Sequence, residues 1–393
     1  MNQKVMTGLE NLKTNPPEYL KGKRLGLLAN PASVDNIFTP SLDIINQLFP
    51  GQLAALFSPQ HGFYAEKQDN MIESDHGMEP RLNIPVFSLY SETRIPTPEM
   101  FDKIDTLIVD IQDVGTRVYT FIYTISHCIE MAAKLKKTVV ILDRPNPIGG
   151  LQVEGNILDP DYASFVGRFP IPMRHGLTVG EISQFFNRQF NLGCDLKIIP
   201  MKGWKRSMYW QDTGFVWLPP SPNLPTPLSC MVYPGQVIFE GTNVSEGRGT
   251  TLPFEQFGAP FLDTEAIGQM ASKKIKGAFL RPINFEPTSG KWQQQVCRGF
   301  HIHITSKEIF KPYLASLYLM QLILKFHPDT FEFKLPPYEY EYERQPIDLI
   351  LGSRDIREKI TRMEDISALE THWQEGLDQF ISLSKNYYLY EKD

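Results

Sequence analysis

Cysteine is scarce in this chain: Cys128, Cys194, Cys230 and Cys297 stand far apart and form none of the close pairs that zinc or redox motifs need. Their expected role is that of small buried side chains. Positive charge is also in short supply, 39 lysines and arginines against 45 acidic residues, so no phosphate-tracking surface and no nucleic-acid partner are expected. Long apolar runs are missing too. The longest uncharged one, "PYLASLYLMQLIL" from Pro312, is too short to span a bilayer and fits a core helix. The opening "MNQKVMTGLENLKTN" has no signal-peptide core. That gives a cytoplasmic expectation, with a periplasmic or secreted location as the alternative if a leader was removed. Nothing in the sequence speaks to an oligomeric state.

Several catalytic signatures are absent as well. No Gly-x-Ser-x-Gly elbow occurs, and Ser58, at a strand end, is followed by proline. "GTNVSEGRGT" holds neither the Gly-Lys-Ser/Thr of a P-loop nor the spacing of a dinucleotide turn, and "DVGTR" lacks that fingerprint too. A nucleotide cofactor is therefore not expected. Asp110, Asp113, His61 and Asp143 match no zinc or calcium spacing. His301 and His303 in "GFHIHIT" share a strand face, a spacing open to a metal pair but more often that of ordinary histidines. Neither a metal nor any other cofactor is expected.

What the chain does have is alternation of short β-rich runs with helical patterns, the signature of parallel strands joined by crossover helices. "KRLGLLAN", "LAALFSPQHGF", "DTLIVDIQDVGTR" and "KTVVILDRPNPIGG" each end an apolar run in polar, turn-forming residues. A helix follows from Val118, another runs from a Thr178 cap through Glu181, and "CDLKIIP" adds a strand. The fold expected is α/β: a Rossmann-like, largely parallel sheet over residues 1–227 and a smaller α+β domain over 228–393. Between them "WLPPSPNLPTPLSCMVYPG" is too rich in proline for a regular element and reads as a strap or linker. "YEYEYE" at 338–343 reads as an extended edge. There is no internal repeat.

In open α/β sheets ligands sit beyond the carboxyl ends of the strands. That rule nominates Asn30; Gln60, His61 and Glu66; Asp110, Gln112, Asp113 and Arg117; and Asp143, Arg144 and Asn146. A further cluster lies in "FEGTNVSEGRGT", where Glu240 and Glu246 bracket polar residues and Arg248 sits between glycines. With serine, cysteine and metal chemistry unsupported, carboxylates, amides, histidine and arginine remain, which suits a hydroxyl-rich ligand and proton transfer. Glycoside hydrolysis needs a protonated carboxyl and a second ionised group or the substrate's own acetamide. Glu66, Glu240 and Glu246 are the candidates, each with a plain alternative: Glu246 in a local pair with Arg248, Glu66 in a solvated loop.

The blocks "SPQHGF", "DIQDVGTRVYTFIYT", "LDRPNPIGG", "PIPMRHGLTVGE", "PPSPNLPTP" and "FEGTNVSEGRGTTLPFE" together resemble the DUF1343 family, associated with NamZ-type exo-β-N-acetylmuramidases of glycoside hydrolase family 171. The likeness runs in order from Leu9 to the end. It implies the two-domain fold above and release of N-acetylmuramic acid from the non-reducing end of peptidoglycan fragments during cell-wall turnover. Carried over residue by residue, it nominates His61, Asp110, Gln112, Asp113, Arg117, Asp143, Arg144, Asn146, His175, Glu240, Asn243, Glu246 and Arg248. A lactyl carboxylate suits a guanidinium's paired donors, from Arg117, Arg144 or Arg248. One position departs: many members have glutamate where this chain has Gln60, and an amide is no proton-transferring acid. Either Glu66 takes that role, or catalysis rests on Glu240 and Glu246, or the chain acts on another amino sugar or only binds muropeptides.

Overall fold

Parallel strands buried on both faces read as unbroken apolar runs, and the first half of the chain supplies them in sequence. The computed structural model describes residues 5–68 and 72–391. Its strands in chain order are β1 (Leu25–Ala29), β2 (Leu53–Ser58), β3 (Gly77–Glu79), β4 (Ile84–Ser88), β5 (Thr106–Asp110), β6 (Thr138–Leu142), β7 (Glu154–Ile157), β8 (Pro172–Arg174) and β9 (Asp195–Ile199). Seven form one sheet in the order β3-β4-β2-β1-β5-β6-β9, parallel except for β3 at the edge. Side chains alternate across it. Leu27 joins Leu56, Ile108 and Val140 in one core, while Leu28 joins Phe57, Val109 and Ile141 in the other. From β1 the chain builds outward to β2 on one side and to β5 on the other, so the strand order reverses at β1. That reversal opens a crevice beyond the carboxyl ends.

The second part holds a three-stranded antiparallel sheet of β10 (Gln256–Ala259), β11 (Ala278–Phe285) and β12 (Cys297–Ile304), with β12 in the middle. The helix Thr264–Lys274 packs on it, and the helix Pro312–Phe326 packs on that helix in turn. The chain then returns to the first part, where the helix Ile366–Ser384 lies against β7. Among the described residues no helix is long and apolar enough to cross a membrane.

Two local readings change. The end of the proline-rich strap is helical: Pro227–Gln236 starts from a Thr226 capping box. Pro227 sits at the first turn, where its missing N–H has no partner to lose, and Pro234 falls in the last turn, where a single ladder bond is forfeited. Tight packing compensates: a Cβ on Gly235 would meet the Pro312 carbonyl oxygen at 2.0 Å, so this helix and the helix Pro312–Phe326 touch backbone to backbone. The run "YEYEYE" is not an extended edge. Tyr338 and Glu341 exchange backbone hydrogen bonds of 3.0 and 2.9 Å around a tight turn. Glu339 (φ 45°) and Tyr340 (φ 66°) make that turn in the left-handed region. His301 and His303 do share a face, with ring centroids 4.1 Å apart, but the Arg281 guanidinium sits against both at 3.1 Å, where a metal cation would have to be.

Candidate active site

A cleft lies where the loops after β2 and β5 meet the second part of the chain. Gln60 and His61 come from the first loop; Tyr119 and Thr120 come from the second, just ahead of the helix Phe121–Lys134. Ser221 and Asn223 arrive from the proline-rich strap, and Tyr233 from the helix that follows it. Glu240, Arg248, Tyr338 and Glu339 close the opposite wall.

Glu240 is buried at the end of the 3-10 turn Val237–Gly241 and accepts on both oxygens: from Arg248 Nη2 at 2.7 Å and from the Tyr338 hydroxyl at 2.7 Å. Arg248 also reaches Glu246, Nε to Oε1 at 3.4 Å. Behind it, Lys291 Nζ meets Glu246 Oε2 at 2.7 Å and two backbone carbonyls. Burial alone would raise the Glu246 carboxyl, but Lys291 and Arg248 more than offset that and hold it below the ordinary range. Burial acts against the Arg248 charge, yet Glu240 and Glu246 outweigh it and raise the guanidinium. Glu240, Arg248, Glu246 and Lys291 thus form a relay of alternating charges with only its first two members on the cleft.

The same lining holds a second carboxyl of different character. Glu339 is buried, accepts from the Tyr90 hydroxyl at 2.7 Å, and lies 3.4 Å from the Gln60 amide nitrogen. Thr120 donates to the Gln60 carbonyl at 2.8 Å, which fixes the amide with its nitrogen toward Glu339. Burial raises the Glu339 carboxyl, and the Glu240 charge adds to the rise against the Tyr90 hydrogen bond. His61 is pushed down to about 4 by burial; its Nδ1 lies 2.8 Å from the Lys67 carbonyl, so the ring is neutral with the proton on Nδ1.

Of the residues nominated from sequence, Gln60, His61, Glu240 and Arg248 line this cleft. The strand-end set instead braces the sheet. Asp110 and Arg144 form a buried two-pronged pair at 2.6 and 2.8 Å. Asn30 donates to the Gln112 carbonyl, and the Gln112 amide goes on to the carbonyls of Asp113 and Pro145. Asp143 collects Thr178, Gly180 and Tyr390. Asn146 ties Ile148 to Leu177, and its side chain fills the space beside Gly115 (φ 77°), where a Cβ would come within 2.4 Å. Arg117 is wholly buried and gives its guanidinium to the carbonyls of Asn156, Ile171, Ile350 and Leu351, so it has no free face for a ligand. His175 accepts from the Leu177 N–H and faces Asp113 at 3.8 Å; burial drives the imidazole down to about 3 and the carboxyl up to about 7. Asn243 pins the Thr330–Glu332 strand of backbone. Glu66 is exposed, its carboxyl laid over Gly62, outside the cleft lining.

Glu339, Tyr338, Ser221 and Asn223 went unnominated. Ser221 and Asn223 lie inside the block "PPSPNLPTP". The Glu339 turn has no glycine or asparagine to mark it.

Two family models divide the chain between them: the N-terminal model of exo-beta-N-acetylmuramidase NamZ matches residues 25–228 and the C-terminal model matches 231–390. The peptidoglycan beta-N-acetylmuramidase NamZ of Bacillus subtilis (strain 168) is 40% identical over 98% of this chain and 92% of its own length. Two crystal structures of DUF1343 family proteins from Bacteroides fragilis are similar throughout. One has a TM-score of 0.88 at 35% identity, covering 99% of each chain. The other has a TM-score of 0.75 at 29% identity, covering 100% of each. With both models matched in order and the likeness extending over nearly the full length, the chain belongs to the exo-beta-N-acetylmuramidase NamZ family.

Proposed function

We propose that this protein is an exo-acting glycoside hydrolase that removes the non-reducing terminal N-acetylmuramoyl residue from peptidoglycan fragments in the cleft between Gln60 and Glu240. The observation that carries this reading is Glu240 itself, a carboxylate on the cleft wall with both oxygens fixed by Arg248 and Tyr338. A group so held does not reorganise as positive charge develops at the anomeric carbon. Glu246 acts through Arg248 as a positioning residue, because Lys291 and Arg248 consume its carboxylate away from the cleft. Arg248 is the arginine on the cleft wall and thus the partner for the lactyl carboxylate.

The test is product release from paired chromogenic β-N-acetylmuramide and β-N-acetylglucosaminide substrates. Release from the muramide alone is the expected result. Release from the glucosaminide at a similar rate points to an exo-glycosidase for another amino sugar. Binding of N-acetylmuramic acid without release from either substrate points to a muropeptide-binding protein.

A further inference from the structure

Glycosidic bond cleavage commonly uses two carboxyl groups in unlike environments, one kept as the acid and one kept charged. The cleft offers such a pair. Glu240 lies against a guanidinium. Glu339 accepts from neutral donors, the Tyr90 hydroxyl and the Gln60 amide, and the Arg94 charge acts on it only through space and as the weakest of the influences on its carboxyl. We infer that Glu339 is the general acid of this cleft, delivering its proton to the glycosidic oxygen of the departing sugar while Glu240 stays charged. The inference rests on the muramidase reading above.

The backbone supports it. Left-handed φ angles at two consecutive residues that carry side chains cost free energy, and such conformations concentrate where a side chain must be aimed. Here one turn aims two: Tyr338 reaches Glu240, and Glu339 lines the cleft beside it. In the reaction, the bond between the anomeric carbon and the leaving oxygen breaks as the Glu339 proton moves to that oxygen, giving the shortened fragment as an alcohol. Water supplies the hydroxyl to the anomeric carbon, and its remaining proton restores Glu339. The sum is substrate plus water to two sugars, with no other reactant.

Catalysis then requires protonated Glu339, so kcat/KM falls as pH rises through its elevated pKa. The charged and titratable groups around it are Tyr90, Glu240, Arg94, Tyr233, Tyr338 and Tyr340. Burial raises Tyr233 and Tyr338 above the ordinary phenol range, and His61 is already neutral above about 4, so neither these phenols nor the imidazole produces that limb.

The experiment compares wild type, Glu339→Gln and Glu339→Asp on two substrates: 4-nitrophenyl β-N-acetylmuramide, whose leaving group needs no proton, and a β-linked N-acetylmuramoyl disaccharide, whose leaving group does. For Glu339→Gln the expected loss in kcat/KM on the disaccharide is roughly 10²- to 10⁴-fold. The loss on the nitrophenyl glycoside is far smaller, and the fall toward alkaline pH disappears. Glu339→Asp keeps the acid and shows the same order of losses in milder form, which covers the case of a glutamine variant that fails to fold. Equal losses on both substrates, or an unchanged alkaline limb, overturn the inference and leave Glu339 a structural group. A wild type silent on both substrates sinks the muramidase reading itself, and this inference with it.

Discussion

Glu240→Gln is expected to lower kcat for the β-N-acetylmuramide by roughly a thousandfold, about 4 kcal/mol of barrier, with a much smaller change in KM. The amide keeps the shape of the carboxylate. Its carbonyl still accepts from Arg248 or Tyr338, so the fold is retained, while the negative charge facing the anomeric carbon is lost. The same exchange at Glu66 is the control. That carboxyl is exposed and lies outside the cleft lining, so Glu66→Gln leaves kcat essentially unchanged. Steady-state kinetics on the two variants decide the point: a large loss at position 66 with little at 240 would return the catalytic role to the loop after β2.

Asp110→Ala is expected to act on stability and not on turnover. Arg144 is held by Asp110 through two short bonds, with side-chain exposures of 4% and 0%, so removing the carboxylate strands a guanidinium in a place water hardly reaches. Breaking a buried pair from one side costs about 3–5 kcal/mol. The Val34 carbonyl, 3.0 Å from Arg144 Nη2, recovers only part of that loss. Denaturant unfolding should show the drop while KM for the muramide stays near the wild-type value. A variant of normal stability with a raised KM would instead make Asp110 a ligand-binding group.

That contrast explains which parts of the molecule were legible in the sequence. β1, β2, β5 and β6 announce themselves because each is buried on both faces and therefore mostly apolar, whereas β9, at the sheet edge, is partly exposed and carries Asp195 and Lys197. The polar residues at their ends are equally visible, but the same position has two uses. Asp110, Asp143 and Asn146 hold crossing loops and helix starts together, which a sheet with many crossovers requires before it can hold a ligand. Residue type alone does not separate the brace from the binding group. Gln60 and His61 were nominated by the same rule, and they line the cleft because their loop reaches past the brace.

Glu339 was hidden for a different reason. Its contact with Gln60 spans 279 positions, and its turn is built from glutamate and tyrosine in conformations usually given to glycine and asparagine. Tertiary contacts impose those angles, with Tyr338 anchored on Glu240 and Glu339 on Tyr90. A period-two run of tyrosine and glutamate reads as a strand until those contacts are known.

The most direct measurement is a crystal structure with N-acetylmuramic acid bound. The account places the sugar in the cleft with its anomeric carbon between Glu240 and Glu339 and its lactyl carboxylate toward Arg248. A sugar bound instead against Asp110 and Arg144, or with neither cleft carboxyl near its anomeric carbon, would contradict it.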